Sequence, residues 1–205
     1  SMINIILRLL SISIVIGIGI PTLGCENYNK PSPKDYFMGV NMELPSDAIM
    51  KRDEHNHTII ILKGKNLSEG LENDPVFLKL RSDNLFAKIA LAFISANAEF
   101  FKISNPANEL IDISVNEDDL GFKHIRFRQV FNDIPVWAAE MNVHLDNLNN
   151  VYLVQGRYIP TPEKIDIHPV LKEDDAKQLV AESLGVPGSE SSGWPSETII
   201  FSALD

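Results

Sequence analysis

The stretch that decides the fold runs from residue 121 to residue 145. It reads Gly121-Phe122-Lys123-His124-Ile125-Arg126-Phe127-Arg128-Gln129-Val130-Phe131-Asn132-Asp133-Ile134-Pro135-Val136-Trp137-Ala138-Ala139-Glu140-Met141-Asn142-Val143-His144-Leu145. Its hydrophobic period is two. Ile125 and Phe127 fall on one face of a strand, and His124, Arg126 and Arg128 on the other, because successive side chains leave opposite sides of the pleat. Asn132-Asp133 marks a tight turn, since Asn and Asp tolerate positive φ. The next run puts Trp137, Ala139, Met141, Val143 and Leu145 inward, with Ala138, Glu140, Asn142 and His144 opposite. Asp146 to Asn150 reads as a second turn and Val151 to Ile159 as a third strand, with Gly156 a candidate bulge. Three strands on short connections predict an antiparallel meander.

Working outward, Asn84 to Lys102 carries Leu85, Ile89, Phe93 and Ala96 at helical spacing, beside Phe86, Ala90 and Ile94. Ser82 or Asp83 is placed to cap its first turn. A long helix preceding a meander implies an α+β fold, an antiparallel sheet packed against that helix. Further upstream, Thr58 to Gly64 is β-branched and ends in a turn signal, so it reads as a strand. The rest of 37–80 gives no clear pattern. Downstream, Pro160, Pro162 and Pro169 mark a linker. Lys172 to Leu184 predicts a second helix with Ala176, Leu179, Val180 and Leu184 on one side, closed by Gly185 and Pro187. Glu197 to Ser202 begins a strand. One helix and one strand cannot bury their own faces well, so 161–205 reads as an incomplete second α+β unit.

The N-terminal residues have the layout of a secretory signal: Arg8, an apolar run from Leu9 to Ile20, then small residues before Cys25. That run is shorter than the ~20 residues of a spanning helix. Gly24-Cys25 resembles the lipobox of bacterial lipoproteins, in which the cysteine carries lipid. The expected layout is a signal over 1–25, a polar tether over 26–50, a folded unit over 51–160, and the linker with the second unit over 161–205. The chain is expected to be exported, lipid-anchored at the cell envelope or secreted, touching membrane only through that lipid.

Composition excludes several function classes. With 18 basic and 28 acidic residues the net charge is −10, which disfavours nucleic acid as a partner. A single cysteine leaves no intramolecular disulfide and no Cys-built zinc site. The five histidines are followed by Asn56, Thr58, Ile125, Leu145 and Pro169, so the His-Glu-x-x-His of a zinc protease is absent. There is no Gly-x-Ser-x-Gly elbow and no phosphate loop. Glu54-His55-Asn56-His57 offers too few ligands for a structural zinc, which needs about four. No catalytic residue, no metal site and no cofactor is expected in this chain.

Leu120-Gly121-Phe122-Lys123-His124-Ile125-Arg126-Phe127-Arg128-Gln129-Val130-Phe131-Asn132-Asp133-Ile134-Pro135-Val136 resembles the pro-region of thermolysin-like zinc metallopeptidases. It is similar to the fungalysin/thermolysin propeptide (FTP) motif: a Gly, then His-x-Arg-x-x-Gln, a turn, and Pro-Val. The likeness continues through Val143-His144-Leu145-Asp146 and Gly156-Arg157-Tyr158-Ile159-Pro160. Asp133 and Ala138 stand where the family has Gly. After the linker, Glu173-Asp174-Asp175-Ala176 to Gly185 looks like the first helix of a PepSY domain. The resemblance implies a cystatin-like FTP unit plus the start of PepSY. It implies an intramolecular chaperone and inhibitor, whose partner is a thermolysin-like catalytic domain in cis or in trans. Zinc would belong to that domain, expected to be missing here. A freestanding lipoprotein acting on a protease in trans, and a truncated remnant, are the competing expectations. The signature positions are His124, Arg126, Gln129, Pro135, Val136, Trp137 and Gly156, as structural or partner-contact residues, with Cys25 for lipidation. If Arg126 is a buried paired residue, its loss costs several kcal/mol; if it is a partner contact, the fold holds and binding weakens.

Overall fold

In the computed structural model, residues 44–163, 165–169 and 171–201 are described. The signal read over 1–25, lipidation at Cys25 and the tether before Leu44 lie outside the described residues. The described chain forms two units, 44–165 with 199–201 and, separately, 166–198.

The first unit is α+β. Six strands, β1 (Ile49–Arg52), β2 (Ile59–Lys63), β3 (Leu110–Glu117), β4 (Lys123–Phe131), β5 (Ile134–Leu145) and β6 (Val151–Arg157), form one sheet in the order β1-β2-β6-β5-β4-β3. Every neighbouring pair is antiparallel. The predicted meander is therefore its centre, β4-β5-β6. β1 starts at Ile49, inside the stretch read as tether.

The Asn132-Asp133 turn takes φ of 49° and 64°. Two consecutive residues of positive φ between the paired Phe131 and Ile134 make the hairpin turn whose twist matches the strands. Beyond it the ladder is irregular. Val130 pairs with Pro135, but Arg128 pairs with Glu140, so Val136 to Ala139 all lie beside Gln129. Ala138 takes φ of 53° there. This bulge reverses the alternation: Val136 is buried, and Trp137, expected to point inward, is 37% exposed. Gly156, expected as a bulge, is regularly paired with Met141. A Cβ there would run into the Glu140 carbonyl and lie 2.8 Å from Met141 Cα, so glycine serves close backbone approach.

Four helices precede or interrupt the sheet: α1 (Pro75–Ser82), α2 (Phe86–Ala96), α3 (Ala98–Phe101) and α4 (Pro106–Glu109). The single helix expected over 84–102 is broken at Asn97. Its amide Nδ2 donates to the Phe93 carbonyl at 2.8 Å, while its own N–H turns to Ile94. An Asn side chain that takes an i−4 carbonyl competes with the helix ladder. The expected caps also belong elsewhere. Ser82 and Asp83 close α1, where Ser82 Oγ donates to the Lys79 carbonyl and Asp83 pairs with Lys79 Nζ. α1 was not anticipated, although Asp74-Pro75 is a strong start. Asp74 accepts from the N–H groups of Val76 and Phe77, and Pro75 occupies the position that needs no donor.

α2 lies against β3, β4 and β5. Ile89, Phe93 and Ile94 join Phe77, Phe101, Ile125, Phe127, Met141, Val143 and Val154 in one core. Burial of this kind supplies the main stabilisation, about 25 cal/mol per Å² of apolar surface. Tyr158 is buried with them, its hydroxyl accepting from the Ile59 N–H at 3.2 Å, and burial pushes that hydroxyl up to about 12.

In the second unit, α5 (Glu173–Leu184) packs on a 3-10 segment, Gly188–Gly193. Gly185 ends it with φ of 69° and an N–H on the last carbonyls, as expected of a left-handed cap. Ala181 is its buried residue; Leu184, expected on the inner side, is 54% exposed. The strand expected from Glu197 reduces to one residue. Ile200, itself part of the first unit, makes an isolated parallel bridge to Val136, its N–H donating to Pro135 O and its carbonyl accepting from the Trp137 N–H.

Candidate functional site

Alternation on the central strands divides the signature residues. Residues of odd number from Ile125 to Gln129 on β4 face the helices, and His124, Arg126 and Arg128 emerge on the opposite face. Neighbours in register on that face are Asn142, His144 and Glu140 on β5, and Leu153, Gln155 and Arg157 on β6. All are half-buried or exposed. An antiparallel sheet can leave one face open in this way.

His124 and Arg126 anchor this open face. Arg126 Nε donates to Glu140 Oε2 at 2.8 Å, and Nη2 reaches the same oxygen. The Arg126 side chain is half exposed, so this is a solvated ion pair, not the buried one considered above. His124 faces His144 across the β4–β5 ladder. Their Nδ1 atoms are 2.7 Å apart and the rings meet edge to face. His124 Nε2 lies 3.2 Å from Asp118 Oδ2, and Gln155 Nε2 lies 3.4 Å from His144 Nε2. Asp118 also accepts from the N–H groups of Phe122 and Leu120 in the turn before β4. Those main-chain donors, the Phe122 one foremost, together with His124 hold its carboxyl below the usual range. Burial, then the proximity of His124, pushes His144 down. Beside the pair, Tyr152 packs at a tilt of 50° against Phe122 with ring centres 5.5 Å apart. The two rings border an open hollow rimmed by Ile49, Lys63 and Asp146.

Gln129 is not part of this face. It is 1% exposed, and its amide acts as a piece of strand: Nε2 donates to the Ile159 carbonyl at 2.8 Å and Oε1 accepts the Ile159 N–H at 3.0 Å. It holds the chain after β6 where the bulge in β5 would otherwise leave main-chain groups unpaired. Pro135 precedes that bulge, Val136 is its first residue, and Trp137 projects from it. Gly156 sits within the β5–β6 ladder. Cys25 lies outside the described residues. His124 and Arg126 thus share a face, while Gln129 and Val136 are interior.

Sequence reasoning missed His144, Asp118, Glu140 and Gln155 as members of the site, because their meeting depends on the shifted register. It also missed β3. Ile111-Asp112-Ile113-Ser114-Val115-Asn116 alternates as a strand does, and β3 forms a sheet edge. Ile111, Ile113 and Val115 are 45%, 40% and 43% exposed there, beside main-chain groups that have no strand neighbour on the outer side among the described residues. Such an edge is a template for another strand. The Glu54-His55-Asn56-His57 segment forms a turn, with Asp53 accepting from the His55 and Asn56 N–H groups. Among the described residues no group of three or more His, Cys, Asp or Glu side chains is arranged to hold a metal ion.

Residues 108–158 match the family described as Fungalysin/Thermolysin Propeptide Motif, which covers α4's end, β3, the central meander and the start of its exit. The chain is 30% identical over 148 residues to bacillolysin of Bacillus subtilis (strain 168), covering 65% of this chain and 28% of that protein. It is 39% identical over 64 residues to bacillolysin of Bacillus amyloliquefaciens, covering 31% of this chain and 12% of that protein. The matched stretches thus span under a third of the length of these curated relatives. No solved structure matches significantly. The likeness to a thermolysin-like pro-region, read first from Leu120 to Pro160, is borne out.

Proposed function

We propose that this chain works as the pro-region of a thermolysin-like zinc metallopeptidase, assisting its catalytic domain to fold and holding it inactive. The observation that carries this reading is the propeptide match at 108–158, which coincides with β3 and the intact β4-β5-β6 meander. The physical basis is linkage: a unit that binds the native or near-native protease and not the unfolded chain lowers that state's free energy. Zinc would sit in the catalytic domain. The docking surfaces on this account are the open face around His124 and Arg126 and the β3 edge. The edge would contribute ordered main-chain donors and acceptors, and Ile111, Ile113 and Val115 apolar contact. The first unit corresponds to a cystatin-like FTP unit and the second to the beginning of a PepSY domain. Export follows from the signal-like 1–25 segment. A second reading, a lipid-anchored protein acting on a protease in trans, is favoured by the Gly24-Cys25 pair.

Refolding tests the chaperone half. A denatured thermolysin-like catalytic domain, diluted with and without the full chain, should regain activity after removal of the chain in higher yield when the chain was present. Equal yields at every ratio would remove the chaperone role.

A further inference from the structure

The contact between His124 and His144 is a donor–acceptor problem with few solutions. Two imidazole nitrogens 2.7 Å apart need one hydrogen between them, neither none nor two. One arrangement of hydrogens satisfies the whole row. Gln155 Nε2 donates to His144 Nε2, His144 Nδ1 donates to His124 Nδ1, and His124 Nε2 donates to Asp118 Oδ2. Both rings are then neutral and every polar atom along the row is matched. A first added proton can be received at His144 Nε2 if the Gln155 amide turns over to present its oxygen. A second cannot, because both Nδ1 atoms would carry hydrogens facing each other at contact distance.

We infer that the His124–His144 pair is an acid-sensitive latch, which clasps β4 to β5 on the open sheet face at neutral pH and releases when the pair must take up two further protons. The surrounding charges do not cancel this. Asp118, at the head of β4, faces only the outer edge of His124. On β4 and β5 the following rows of that face hold Arg126 opposite Asn142 and Arg128 opposite Glu140, with Arg126 reaching diagonally to Glu140 and Arg157 of β6 on the other side of Glu140. On β6 the pair meets Gln155 and Tyr152, neither of them charged at neutral pH, with Asp146 acting on Tyr152. β3 offers Asn116 in register with His124, next to the Glu117 carboxylate, which lies 3.9 Å from Lys123 Nζ. Among the described residues no anion therefore stands beside His144 to receive its charge. The burial that pushes His144 down gives the sign. A histidine with a folded value below its unfolded one binds more protons unfolded, so stability present above about pH 6.5 is lost as the pH falls. Each extra proton bound by the unfolded chain changes the folding constant about tenfold per pH unit. The device is a property of the fold and stands whatever binds the sheet.

The test uses the full chain and two readouts. At pH 7.5, nuclear magnetic resonance should detect a nitrogen–nitrogen coupling across the hydrogen bond between the two Nδ1 atoms, and it should be lost over the same acid range in which the chain loses stability. The melting temperature should fall between pH 7.5 and 5, and His144→Gln should flatten that dependence while keeping His55, His57 and His168. Absence of the coupling at neutral pH overturns the latch even if the variant fails to fold. So does a His144→Gln variant with the same pH dependence as the parent.

Discussion

Arg126 and Gln129 are three residues apart and do different work. Alternation explains it: position 126 emerges on the open face and position 129 enters the core. Gln129 is satisfied on both sides by Ile159, and its exposure is 1%, so its place in the signature has a structural cause. Arg126 has no such burial. Its pairing with Glu140 is solvated, and exposed ion pairs contribute about 0–1 kcal/mol. Arg126→Ala should therefore cost at most about 1 kcal/mol in urea denaturation, while weakening binding to a thermolysin-like catalytic domain. A loss of several kcal/mol would return Arg126 to a structural role; an unchanged melt with unchanged binding would remove it from the contact face. These face assignments were legible because they need only the parity of positions on one strand. The meeting of His124 with His144 was not. An unbroken ladder from Phe131 and Ile134 would set His124 against Met141; only the extra residues beside Gln129 bring His144 into place.

That bulge is the element on which the architecture turns. It moves Val136 inward and Trp137 outward, and it leaves room for Ile200 to bridge alongside. It also places Ala138 at φ 53°, where a Cβ costs about 1–2 kcal/mol. Glycine relieves that strain but adds freedom to the unfolded chain. Ala138→Gly should therefore raise stability by about 0.5–1 kcal/mol, measured by urea denaturation at neutral pH. A loss of stability would mean that the methyl group packs usefully. The turn at Asn132-Asp133 was readable because residue chemistry and local geometry agree there. The break at Asn97 was not, since the apolar stripe runs on through Phe100 and Phe101 and only one amide interrupts the ladder. β3 was hidden for a different reason: its apolar residues lie on an exposed edge instead of in the core, so its pattern promises burial the fold does not give.

At the scale of the molecule, the antiparallel sheet with helices on one face was legible from 84–159, because long periodic runs outweigh local exceptions. The second unit was legible as a helix closed by Gly185, while of the strand expected from Glu197 only Ile200 pairs, and it does so within the first unit. A net charge of −10 favours a partner with a basic contact surface, and such steering weakens with salt. On the proposed function this chain binds and silences a thermolysin-like protease. The most direct measurement is a titration of the purified full chain against such an enzyme, following peptide hydrolysis and the integrity of the added chain together. A working pro-region should give saturable inhibition with the chain intact. Undiminished hydrolysis at saturating concentration would contradict it.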